Sequence, residues 1–98
     1  MISWLDASEH KQFGQQLAAF VIEKLPLAPA GKPQSKRSPR EVVRKMVLQV
    51  SEFSAKKGGA SFYKKAKFGN AFKWRLLEAG YEPDFADELT KELLIHLR

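Results

Sequence analysis

Lys64, Lys67 and Arg75 sit at i, i+3 and i+11, close to one line down a helix, within the stretch "FYKKAKFGNAFKWR". Tyr63 and Trp74 border that line on one side and Phe68 on the other. Cations in a row with rings at their margin suit an anionic polymer, nucleic acid above all. Ammonium and guanidinium groups neutralise phosphates and release condensed counterions, while rings stack on exposed bases. Lys36, Arg37, Arg40 and Arg44 extend the same field from the preceding segment. The bland alternative is that a helix with a wide apolar arc faces water somewhere, and lysine fills that face. Lys65 and Lys73 fall inside the apolar arc, with stems long enough to lie along it.

Other chemistry finds little support. Cysteine is absent, which excludes disulfides and thiolate metal sites. His10 and His96 are the only histidines and neither has a second histidine at i+4, so a metal centre would need distant carboxylates. No serine has a histidine and an orienting acid in a recognisable nucleophile arrangement. The stretch "KKGGAS" lacks the spacing of a phosphate-binding loop. The expectation is a non-catalytic module with no metal, no cofactor and no small-molecule substrate.

Charge is segregated along the chain. Residues 32–75 hold thirteen Lys or Arg against Glu41 and Glu52, while residues 1–31 and 76–98 are each net acidic. Such a distribution bears on partners and association rate rather than on fold. The basic middle acts as a field only if the acidic C-terminal segment does not fold over it. The stretch "LLEAGYEPDFADELTKELL" has the outline of a helix-turn-helix. Its second helix carries Asp84, Asp87, Glu88 and Glu92 against Lys91, and phosphate repulsion makes it a poor recognition helix.

The elements that would position these residues are helical. The first helix is predicted over about 7–25, with Asp6 and Glu9 as a capping box and Phe13, Leu17, Phe20, Val21 and Leu25 on its apolar face. Pro26 ends it. A basic, Pro-rich connector follows over 26–38, long for a link between bundle helices. The second helix is predicted over about 39–57. Ser38 is its N-cap, Pro39 stands at N1, and Val42, Val43, Met46, Val47, Val50 and Phe53 share one face. Glu41–Lys45 and Glu52–Lys56 are spaced for i,i+4 ion pairs along it, and Gly58-Gly59 stops it.

The third helix is predicted over about 61–79, with Gly80 as C-cap. Positions 64, 67, 71, 75 and 78 form a stripe without large apolar residues, and Phe62, Phe68, Phe72, Leu76 and Leu77 lie off it. Gly69-Asn70 is its weak point, where a break would give five helices instead of four, and where a glycine would let a neighbouring helix approach. The fourth helix is predicted over about 83–97, with Pro83 at N1 and Phe85, Ala86, Leu89, Leu93 and Leu97 facing inward. The fold expected is a compact all-α bundle in a single domain covering 1–98.

Trp4, Leu5, Leu94 and Ile95 are left over by these faces, along with Leu27. They support the competing reading, a protein-interaction module or subunit using exposed apolar residues of helices one and four. No apolar run approaches the ~20 residues that span a bilayer. "MISWLDASEH" has neither the basic nor the apolar region of a signal peptide. A cytoplasmic location is therefore expected, and a membrane surface is the least favoured partner.

Overall fold

In a computed structural model, which describes residues 7–25, 39–57 and 61–97, the chain forms four α-helices. They are α1 (Ser8–Lys24), α2 (Pro39–Lys57), α3 (Phe62–Glu78) and α4 (Pro83–His96). The described residues contain no strand. The connector, the Gly58-Gly59 stop, Lys36, Arg37, Trp4 and Leu5 lie outside the described residues.

Helix starts follow local chemistry with one correction. Pro39 opens α2 and Pro83 opens α4, each where its missing N–H deprives the helix of nothing. The Ser61 hydroxyl accepts from the Lys64 amide at 3.2 Å and caps α3. α1 starts one residue later than an Asp6–Glu9 capping box would place it, and Asp6 itself lies outside the described residues. Ala7 occupies the N-cap with no side-chain hydrogen bond, so Glu9 falls at N2 and instead pairs with Lys57 at the end of α2.

α3 runs unbroken through Gly69-Asn70. It ends in a Schellman motif: the Gly80 amide donates to the Leu77 carbonyl and the Tyr81 amide to the Leu76 carbonyl. Gly80 takes φ 101°, which the motif requires and a side chain resists. The hydroxyl of buried Tyr81 then donates to the Leu25 carbonyl at 2.6 Å, joining the α3–α4 turn to the end of α1.

One core cluster holds the helices together, with Phe68, Phe72, Leu17, Leu25, Met46, Leu76 and Leu93 among its largest fully buried side chains. α1 and α3 make the most extensive contact and run in the same direction, since Gly14 meets Phe68 and Ala71 while Leu25 meets Tyr81. α4 packs against α3 on one side and α2 on the other. The last turns of α2 meet the first turns of α1 through Phe53, which stacks on Phe13 at 4.2 Å and lies perpendicular to the His10 ring at 5.0 Å.

The buried face of α1 is rotated from the one its large residues suggest. Its buried positions are His10, Gly14, Leu17, Ala18 and Val21, while Phe13 and Phe20 are only half-buried. Close approach to α3 is the cause. A Cβ at residue 14 would sit 2.5 Å from the Phe68 carbonyl oxygen. Gly14, not Gly69, is therefore the close-approach glycine, because a Cβ at Gly69 would meet Leu94 and Thr90 at an ordinary 3.5 Å. One further expectation fails: neither i,i+4 pair foreseen in α2 forms. Exposed pairs gain too little to hold two long side chains together. Phe62, off the stripe at the first turn of α3, is 87 % exposed.

Candidate nucleic-acid interface

The stripe on α3 does not face open water along its length. Gly14 draws α1 against Ala71, at the middle of the stripe, and turns that stripe into one wall of a groove. Ala71 is half-buried at the crossing. Lys11 and Gln15, one turn apart on α1, form the opposite wall. Lys67, Asn70, Trp74, Arg75 and Glu78 complete a concavity of about 280 Å3.

Three of the residues singled out from sequence, Lys67, Trp74 and Arg75, meet in this groove. Trp74 is 62 % exposed, an unusual setting for an indole unless its face has a use. Tyr63 lies one turn before Lys67 and is exposed, and the Lys67 ammonium stands 5.5 Å from its ring centroid. That cation–π contact holds the Lys67 ammonium near Tyr63 with about 0.5–1 kcal/mol, the range for exposed sites. Phe68, expected at the other margin, is instead wholly buried. Lys64 is half-buried and lines no part of the groove, and its charge acts on His10, whose pKa it lowers. Arg40 and Arg44 are exposed on α2 and line no part of it.

Lys11, Gln15, Asn70 and Glu78 were not singled out from sequence. Glu78 lay on the α3 stripe already read from sequence, whereas Lys11 and Gln15 enter only through the partnership of α1 with α3, of which the one hint was a glycine in the middle of α1.

The acidic fourth helix leaves the groove uncovered. α4 packs on the flank of α3 that carries Gly69 and Lys73, about 160–200° around the helix from Ala71. Of the α3 cations, Lys73 alone pairs with an α4 acid, reaching Asp87 at 3.4 Å, and Asp87 also takes Lys91 at 3.0 Å. The hydrogen bond from Lys91 is the main reason the Asp87 carboxyl is held below its ordinary pKa, with Lys73 adding to it. Among the described residues Lys11, Lys67 and Arg75 form no ion pair.

A second concavity, about 380 Å3, lies between α3 and α4 and is lined by Phe62, Ala66, Gly69 and Leu94 together with Lys65, Lys73 and Lys91. Leu94 is half-buried, and Ile95 beside it in sequence is 69 % exposed. Among the described residues no cluster of His, Asp or Glu is placed to hold a metal ion, and no helix is long and apolar enough to cross a membrane. No protein-family model, curated protein or solved structure matches the chain.

Proposed function

We propose that this protein is a non-catalytic helical binding module that holds a nucleic acid along the α1–α3 groove. One observation carries the reading: Lys11, Lys67 and Arg75 gather round an exposed Trp74, free of ion pairs among the described residues, while Asp87 of α4 is engaged on the opposite flank. Cations on the rim supply sequence-independent attraction to phosphates, and the ring supplies a stacking surface. Tyr63 adds an exposed ring one turn before Lys67, Lys64 adds charge outside the groove, and Arg40 and Arg44 add a more distant positive region on α2. On this reading the protein works in the cytoplasm.

Titration with duplex and single-stranded DNA and RNA at about 50 and 200 mM salt tests it. Binding should weaken steeply with salt. The combined Lys11→Gln, Lys67→Gln and Arg75→Gln variant should reduce the logarithmic salt slope by about three, one for each phosphate contact. Absence of binding to all four polymers at the lower salt sinks the proposal, and an unchanged slope places the contacts elsewhere.

A second reading rests on Phe62 and Ile95, large apolar side chains exposed on α3 and α4. They suit a protein partner or self-association, with Phe62 and Leu94 both lining the concavity between α3 and α4. Sedimentation equilibrium distinguishes it: association that the Phe62→Ser, Ile95→Ser double variant abolishes supports this reading, and a strict monomer at all concentrations removes self-association.

A further inference from the structure

We infer that the α1–α3 groove receives one unpaired base stacked on Trp74, so that the protein selects single strands over duplex and favours bases bearing an exocyclic amino group. The inference rests on the nucleic-acid reading of the same groove.

Three features support it. The first is the ring. Trp74 presents its indole at a concave surface, not on a convex ridge. Inside a duplex each base face is already covered by its neighbours. A single strand offers a free face at each nucleotide, and aromatic side chains use it without regard to sequence. The second is size. At about 280 Å3 the concavity falls just below the usual range for ligand pockets, ~300–1,000 Å3, so it suits one planar group.

The third is the placement of charge. Lys67 lies two turns before Trp74 and Arg75 directly after it, where the sugar–phosphate backbone of a stacked nucleotide can run. Glu78 lies one turn after Trp74 in the same groove. A carboxylate there repels phosphate, which confines the backbone to the cationic side. It also accepts a hydrogen bond from an exocyclic amino group, as at cytosine N4. Asn70, one turn before Trp74, offers both a donor and an acceptor to the base edge. Cytosine and thymine have the same ring size and differ where Glu78 would read them, since thymine presents a carbonyl in place of the amino group.

The experiment uses Trp4→Phe as the background, which leaves Trp74 as the only indole in the chain. Indole fluorescence and the anisotropy of labelled strands are followed with oligo(dC), oligo(dT) and a duplex of equal length. Single strands should quench Trp74, with oligo(dC) bound more tightly than oligo(dT), and Glu78→Ala should erase that difference. Trp74→Ala should weaken single-strand binding roughly 5- to 150-fold, the span of one base–aromatic stack. Trp74→Phe should retain most of the affinity, and far-UV circular dichroism checks that each variant folds.

Equal affinity for single strands and duplex, unchanged by Trp74→Ala yet lost in the triple charge variant, overturns the stacking inference and leaves the wider binding reading intact. Equal affinity for oligo(dC) and oligo(dT) overturns the amino-group preference. Failure of the parent protein to bind any nucleic acid removes both.

Discussion

His10 shows how much one side chain can carry in a small core. It is buried, with its ring perpendicular to that of Phe53. Burial holds its pKa below the ordinary 6.5, the charge of Lys64 pushes the same way, Glu9 opposes, and Lys57 adds to the lowering. With a lower pKa in the folded state than in the unfolded state, the unfolded chain binds a proton that the folded chain refuses. Stability is therefore complete above about pH 6.5, declines as pH falls through that value, and levels off below the folded-state pKa. Urea midpoints at pH 7.5 and pH 5.5 should show the loss, and His10→Gln should shrink it. Tyr81 makes a second residue-level case. Its hydroxyl bonds a carbonyl 56 positions away, so Tyr81→Phe should destabilise by about 0.5–1.5 kcal/mol in denaturant unfolding. Nothing in the sequence pointed to this bond, because a hydroxyl-to-backbone contact across most of the chain leaves no local pattern.

At the scale of helices, the two internal glycines should respond in opposite ways. Gly14→Ala places a methyl group against a backbone oxygen of α3, which cannot swing aside. It should cost about 1–3 kcal/mol, as overpacking does, outweighing any gain in helix propensity. Gly69→Ala meets only side-chain methyls at normal distance and should stabilise by about 0.5–1 kcal/mol. Thermal unfolding of both variants checks the contrast. Helix positions were legible in the sequence because Pro39, Pro83 and Gly80 punctuate them and apolar residues recur between. The rotation of α1 was not legible. Periodicity weighs large apolar side chains, and the face that α1 buries is centred on Gly14 and Ala18, which such a reading passes over. For the same reason the stripe on α3 was identified but its neighbour was not: a helical wheel shows which residues share a face, and says nothing of which helix covers it. Lys67, Trp74 and Arg75 could therefore be named in advance, whereas Lys11 and Gln15 could not.

For the molecule as a whole, the net charge of +6 matters less than its division between flanks. On the α1 side of α3, Lys67 and Arg75 form no ion pair among the described residues, and on the α4 side Lys73 pairs with Asp87. Two lysine or arginine replacements on the same helix, with the same change in net charge, should therefore differ. Arg75→Gln should lower the salt slope of nucleic-acid binding by about one, and Lys73→Gln should leave it nearly unchanged. Equal effects would mean that the field acts through total charge and that the groove has no special part in it.

The shape of the α1–α3 groove and its charge answer to separate positions. Lys67 and Arg75 set its potential, while the spacing between its walls is set by a hydrogen atom standing at residue 14 where other amino acids carry carbon. A graded series at that position, from serine to valine, would act as a wedge of adjustable thickness, parting the walls without altering a single charge. Width and potential could then be dialled independently, and the contribution of fit measured apart from that of attraction.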